Sequence, residues 1–286
     1  MPTRRISSPR FGPAGVPPSC SSTLEAVSYV RKIGLLALEI EFVRGVKMGE
    51  KLAGEIGALA KREGISLSCH APYWINCSAL EEIKITNSIR HLTDCVKVGD
   101  ALGDPRFVIV FHPGFYLGQS SEVAGRKVRE TMKQVVSEIK ERSLKNVVLG
   151  METTGKQLQF GTLDEILPIC SELDSTVPVV DFAHLHARSK GAMKTESDYL
   201  AVFEKIEKSL GRKSAENLHC HFSELNFDPI KGNEKNHVPL GTGPGPDFLP
   251  LAKVIAKNGL SPTLICESPL LDQDALRMKA IFESVS

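Results

Sequence analysis

Phe107-Val-Ile-Val-Phe111 is a short, wholly apolar run rich in β-branched side chains, and His112 follows it at once. A run of this length and character predicts a buried strand rather than a helix. The same arrangement recurs along the chain at a nearly constant interval. Strands are predicted at residues 4–7, 36–42, 65–69, 107–111, 147–151, 177–180, 218–222 and 263–266. Between them lie segments of helical period, at residues 23–33, 50–62, 87–101, 122–140, 163–170, 199–209, 247–257 and 273–284. Leu24, Val27, Val30 and Ile33 mark one such face, and Leu52, Ile56, Leu59 and Ala60 another. Gly34, Gly64, Gly103, Gly211 and Gly259 stand just past helical runs, where a glycine commonly ends a helix. Strands joined by single helices make parallel βαβ units, and eight of them close into a barrel. The expected fold is α/β, a single (β/α)8 TIM barrel spanning residues 1–286 as one domain. The polar, Gly- and Pro-rich residues 227–245 are expected to form an active-site loop.

The residues that follow the strands carry the chemistry. His70, His112, Glu152, Asp181, His184, His237 and Glu267 fall at or beyond predicted strand ends, and His219 and His221 lie within the seventh predicted strand. In a barrel of this kind these positions share one rim. A barrel core has no structural need for so many ionisable groups, and gathering them without a cation costs desolvation and like-charge repulsion. Neutral imidazoles and carboxylates converging on one mouth are the donor set of a divalent-metal site. A metal-dependent enzyme is therefore expected, with the metal site at the C-terminal ends of the strands.

Composition narrows the field further. With 286 residues and 42% hydrophobic composition the chain can bury a large core. The 35 basic and 34 acidic residues leave a net charge of +1, which argues against a polybasic nucleic-acid binder but allows a local patch over phosphates. No apolar stretch approaches the roughly 20 residues of a spanning helix, and the first twenty residues lack an apolar signal core. The expectation is a cytoplasmic protein with no membrane partner, working as a monomer. Seven cysteines without a CxxC pair are expected to be buried thiols, not a disulfide framework. By alternation Cys69, Cys220 and Cys266 should face the helix layer.

Six stretches carry a resemblance to a known family: Ser68-Cys-His-Ala-Pro-Tyr-Trp-Ile-Asn76, Phe111-His-Pro-Gly-Phe-Tyr-Leu-Gly118, Met151-Glu-Thr-Thr-Gly155, Asp181-Phe-Ala-His184, His237-Val-Pro-Leu-Gly-Thr-Gly243 and Cys266-Glu-Ser-Pro269. In this order they resemble the endonuclease IV family of apurinic/apyrimidinic endonucleases. The resemblance implies hydrolysis of the DNA phosphodiester 5′ to an abasic site in double-stranded DNA. It implies that His70 and His112 bind one metal and that Glu152 bridges to a second, completed by Asp181, Glu267 and a strand-7 histidine. It also implies a third metal held by His184 and an Asp-x-His motif ending at His237. Zinc suits this donor set, and manganese or iron would suit its oxygen-rich position. Glu152 and Glu267 are the implied catalytic carboxylates.

Two departures matter. Strand 7 carries both His219 and His221 on one face; counting back from the downstream serine favours His219 as the ligand with His221 beside it, and alternation leaves both as candidates. The Asp-x-His motif reads Lys235-Asn-His237, which removes an oxygen ligand, so two metal positions are expected to be well formed and the third is in question. Glu234 after a loop shift, or Lys235 acting directly on phosphate, are the two ways to fill that place. Tyr73 and Arg44, with Lys47, are candidate DNA contacts, against the plainer reading of loop aromatics and solvated charges. His186 and Arg188 are candidates to extend the phosphate surface. Trp74 and His91 read as packing residues. Glu39 and Glu41 share a strand face and either orient a ligand or form an ion pair inside the barrel. A single-metal sugar isomerase or epimerase of related barrel fold, built on Glu152, Asp181, His219 and Glu267, is the rival reading.

Overall fold

In the computed structural model, which describes residues 8–286, eight short strands form one parallel sheet. They are β1 (Arg10–Pro13), β2 (Ala37–Glu41), β3 (Ser66–His70), β4 (Phe107–Phe111), β5 (Val147–Glu152), β6 (Thr176–Asp181), β7 (His219–Phe222) and β8 (Thr263–Cys266). Each strand pairs with its sequence neighbours, and β1 pairs with β8. The ring closes between β1 and β2, where Leu36 N donates to Phe11 O at 3.0 Å and Gly15 N to Glu39 O at 2.9 Å. Eight parallel strands closed in sequence order are a TIM barrel.

The first strand differs from expectation. Residues 4–7 lie outside the described residues, and Arg10–Pro13 fills the first place in the ring. Its glycine is required: a Cβ on Gly12 would sit 1.9 Å from Ala37 O, so only glycine lets β1 approach β2. The eight predicted helices are present, from Thr23–Lys32 to Asp272–Glu283, and two short ones, Phe182–Arg188 and Arg212–Glu216, join them. Local chemistry sets their ends. Thr162 and Glu165 form a reciprocal capping box at the start of Leu163–Glu172, and Gly64 and Gly103 close their helices in the left-handed conformation.

Alternation along the strands divides the core. Leu38, Leu67, Ile109, Leu149 and Leu264 pack outward against helix residues such as Val27 and Ile56, with Cys69, Cys220 and Cys266 buried among them. Burial raises each of those three thiols above its ordinary pKa, so they remain protonated. The barrel interior is a second cluster, in which Val108, Val110 and Val179 pack with Val148 and Val177. These residues belong to β4, β5 and β6. The wall made by β2, β3 and β7 is polar instead, carrying buried Glu39, Ser68, His219 and His221.

Residues 227–245 are more ordered than a loop. Glu224–Asp228 pairs antiparallel with Asn233–Val238, with an irregularity between Asn226 and Phe227. Glu224 anchors the returning chain by accepting from Gly241 N and Gly243 N, each at 2.7 Å. Among the described residues no helix is long and apolar enough to cross a membrane.

Candidate metal centre

Strand length places the ionisable groups. His70, Glu152 and Asp181 are the last residues of β3, β5 and β6, and His112 and Glu267 follow β4 and β8 directly. The chain turns from β6 into the short helix Phe182–Arg188, and Asp181 caps it by accepting from His184 N at 2.8 Å. That turn brings the His184 ring back over the barrel mouth. The hairpin carries Glu234 and His237 over the same mouth from the other side.

Glu152 lies at the centre, fully buried. Its Oε2 is 3.0 Å from His112 Nε2 and 3.3 Å from His70 Nε2. Its Oε1 is 3.1 Å from His221 Nδ1 and 3.4 Å from His184 Nδ1. His221 Nδ1 is also 3.3 Å from Glu267 Oε1. Among the described residues three sets of ligand atoms are compact enough, within 4.8 Å, to hold an ion: His70, His112 and Glu152; Glu152, Asp181, His221 and Glu267; and, a layer deeper, Glu39, His219 and His221. Glu152 belongs to the first two.

The remaining ring atoms are occupied in a way that suits metal binding. His70 Nδ1 donates to Ala71 O at 2.7 Å, which leaves the Nε2 lone pair facing Glu152. His184 Nδ1 likewise donates to Thr153 O at 2.9 Å and turns Nε2 toward Glu234 Oε2, 2.8 Å away. Asp181 Oδ2 is buried without a hydrogen-bond partner, as is Glu41 Oε1. A buried carboxylate oxygen with no donor is costly unless a cation answers it. The residues present therefore fit a divalent ion.

Electrostatics agree. Burial pushes the Glu152 carboxyl up, but the His112 and His221 imidazoles beside it prevail and hold it well below the usual range. Burial likewise works against Glu267, and His221 draws it down. Asp181 goes the other way, raised by burial and by its neighbours Glu267 and Glu152 despite His184. Burial would depress His70, yet Glu152 brings it up to about 10. His70, His184 and His221, all raised, hold protons where a cation would otherwise neutralise the acids, so metal and protons compete for the same atoms.

The two strand-7 histidines divide differently from the sequence reading. His221 joins the mouth set, whereas His219 lies a layer deeper and pairs with Glu39, Nε2 to Oε2 at 3.0 Å. Two residues along a strand differ by about 7 Å in depth, and the two rings lie with centroids 5.7 Å apart. Lys235 is exposed on the hairpin, and its neighbour Glu234 occupies the inward position, tied to His184 and, at 3.3 Å, to Lys156. Burial opposes ionisation of Glu234, but His184 pulls it down to about 2. His237 Nδ1 contacts Ser223 Oγ, and burial lowers its pKa, which keeps the ring neutral.

Tyr73 is 58% exposed, with its ring 5.1 Å from His70 and 6.4 Å from His112, so it overhangs the mouth. Trp74 Nε1 donates to His91 Nε2 at 2.8 Å, pinning this loop to its helix. Arg44 is exposed after β2. His186 and Arg188 make their contacts within the protein. His186 is buried, its Nδ1 donating to Met193 O. Arg188 braces a loop through Thr154 Oγ1, Lys156 O, Gln159 O and Tyr116 Oη. Sequence reasoning passed over Thr153, whose carbonyl orients His184, and Ser68, two residues before His70 on the same face. A cavity of about 570 Å³ opens at the opposite end of the barrel beside Arg10, Arg106 and His219. Its one acid, Asp104, is already engaged by Leu67 N and Arg106 N, so the ligand-rich end is the mouth.

Known proteins match this chain along most of its length. An uncharacterized protein of Methanocaldococcus jannaschii is 37% identical over 96% of this chain and 97% of its own length. A probable endonuclease 4 of Bifidobacterium longum is 27% identical over 67% of this chain and 66% of its own. The crystal structure of endonuclease IV from Thermus thermophilus shares the fold, with a TM-score of 0.74 at 20% identity over 97% of this chain and 98% of that one. A D-tagatose 3-epimerase-like protein does so as well, at 0.69 and 17% identity over 93% of each chain. The family model AP_endonuc_2, described as a xylose isomerase-like TIM barrel, matches residues 27–281, and the chain belongs to that family.

Proposed function

We propose that the protein is a metal-dependent apurinic/apyrimidinic endonuclease, which hydrolyses the phosphodiester 5′ to an abasic site and leaves a 3′-hydroxyl. One observation carries the reading: the two oxygens of Glu152 serve two adjoining ligand sets, His70 and His112 on one side and Asp181, His221 and Glu267 on the other. A single carboxylate shared in this way sets the spacing of a two-ion site. The family and the endonuclease 4 relatives support the same substrate class.

A divalent cation in such a site polarises the phosphoryl oxygen and lowers the pKa of water. The chain's own groups do the rest. Glu152 fixes the separation of the two sets. Glu267, ionised and 15% exposed, is placed to take a proton from the attacking water at a carboxylate oxygen. His184, His237 and Glu234 form the far side of the mouth, where charge builds on the leaving oxygen. Lys235 and Arg44, both exposed, meet backbone phosphates, and the Tyr73 ring covers the opening. An abasic nucleotide is cheap to extrude because it has no base to unstack, and a narrow mouth then selects it. Zinc is the ion best matched to the imidazole-rich set, with manganese or iron fitting the Asp181–Glu267 side. The whole chain acts as one domain and as a monomer.

A rival reading has one observation in its favour. Glu152, Asp181, His221 and Glu267 form a complete four-ligand set by themselves, as a single-metal sugar epimerase would need. A duplex oligonucleotide carrying one tetrahydrofuran abasic analogue tests the first reading. Chelator-sensitive cleavage, lost in Glu152→Gln, is expected. An intact duplex across zinc, manganese and cobalt, with one ion bound per chain, would refute it in favour of the second.

A further inference from the structure

Beneath the mouth lies a carboxylate that belongs to neither ligand set shared by Glu152. Glu39 on β2 is fully buried. Its Oε2 accepts from Ser68 Oγ at 2.8 Å and from His219 Nε2 at 3.0 Å. Its Oε1 lies 2.8 Å from His221 Nε2. The other nitrogen of that ring, Nδ1, faces Glu152 and Glu267 at 3.1 and 3.3 Å. The His221 ring is thus held between two acidic groups, with one nitrogen turned to each. An imidazole that binds a cation through Nδ1 keeps its proton on Nε2, and Glu39 Oε1 is the acceptor within reach of that proton. The contact is close but off the N–H axis, so neither atom has an aligned hydrogen bond. Ring orientation, not distance, is what ion binding at Nδ1 has to adjust.

We propose that Glu39 is a positioning residue for the metal centre. It holds His221 as the Nε2–H tautomer and aims Nδ1 into the mouth, while Ser68 and His219 hold the carboxylate itself. A carboxylate inside a barrel is costly unless its oxygens are answered, and donors from β3 and β7 answer this one. His219 therefore has a role at one remove from the metal. The inference rests on the reading that the mouth binds a divalent ion, and not on which substrate is cleaved.

The test uses full-length metal-free protein with Co²⁺ as the probe, reading affinity by chelator competition and geometry from the visible spectrum. Glu39→Gln should bind the same number of ions at saturation, one of them about 10- to 100-fold more weakly, with an altered spectrum. Ser68→Ala should weaken the same ion by about 3- to 10-fold. Val179→Ala, in the apolar part of the same interior, should leave affinity and spectrum unchanged. Unchanged Co²⁺ binding in Glu39→Gln overturns the proposal. So does loss of a whole equivalent, which would make Glu39 a ligand, or an equal effect from Val179→Ala, which would make the effect one of packing. If Glu39→Gln does not fold, Ser68→Ala decides, and unchanged binding there overturns it. Wild-type protein that binds cobalt but leaves abasic DNA intact refutes the nuclease reading alone; wild-type protein that binds no cobalt refutes both.

Discussion

Replacing Glu152 with Gln removes the charge around which four imidazoles are arranged, and His70 reports the loss directly. In the metal-free protein burial by itself would lower the His70 pKa. Glu152, 3.3 Å from Nε2, outweighs it with help from the more distant Glu41 and Glu39, and the ring reaches about 10 from an ordinary 6.5. That rise corresponds to about 5 kcal/mol in favour of the protonated folded form. Without Glu152 the main opposing influence is gone, so His70 in the variant should titrate at or below 6.5. The sign for stability follows. A group raised in the folded state contributes fully below its unfolded pKa and loses that contribution as pH rises through the folded value. Glu152 itself, depressed in the fold, contributes only above about pH 4.5. Wild-type metal-free protein should therefore exceed the variant in stability most between about pH 5 and 6.5, with the gap closing toward pH 10. Imidazole proton and carbon shifts followed by NMR across that range give the titration, and urea unfolding gives the stability. A His70 that remains protonated at pH 8 in Glu152→Gln, or one that titrates near 6.5 in the wild type, would refute the reasoning.

Other consequences are open to direct measurement. Gly150→Ala places a Cβ 2.6 Å from Val179 Cγ2 and 2.8 Å from Val108 Cγ1; overpacking of that kind should cost about 1–3 kcal/mol in denaturant unfolding, and an unchanged midpoint would contradict the close-packed interior. Burial pushes the Glu41 carboxyl up to about 8, so its contribution is complete below about pH 4.5 and lost as pH rises through 8. Glu41→Gln should remove that sensitivity and stabilise metal-free protein by about 3 kcal/mol at pH 7, and a variant with the wild-type pH profile would refute the assignment. Chelation should lower the thermal midpoint, since an ion at a hundred times its Kd adds about 2.7 kcal/mol; a midpoint indifferent to chelator and zinc would argue against a metal centre. Lys235→Ala should weaken binding to all duplexes alike and reduce the salt slope by about 1, while a loss of bound metal in this variant would place the lysine in the wrong role.

The strand–helix rhythm was legible because most of the buried parallel strands are largely apolar, and runs such as residues 107–111 and 263–266 coincide with the observed strands. Arg10–Pro13 escaped notice for a physical reason. With a glycine and a proline it has little strand propensity, and it is a strand only because β8 and β2 flank it. The hairpin over the mouth was read as a loop because residues 233–237 are polar throughout, although the turn residues Asp228, Pro229 and Gly232 were a usable signal. Glu39 was visible on the inward face of its strand, but its partners were not.

Read alone, the chain was sufficient to establish a barrel with imidazoles and carboxylates gathered at one rim, because side-chain period and strand ends are local properties. Depth and aim were decided only by the closed tertiary structure. Alternation points His219 and His221 to the same side, and nothing in the one-dimensional order says which reaches the mouth. The stagger of β7 against β6 and β8 does, pairing His221 with Asp181 and Ile265, and His219 with Val179 and Thr263. The same holds at the hairpin. Which of two adjacent residues, Glu234 or Lys235, turns inward depends on cross-strand register, and register is set by contacts with residues far away in the chain.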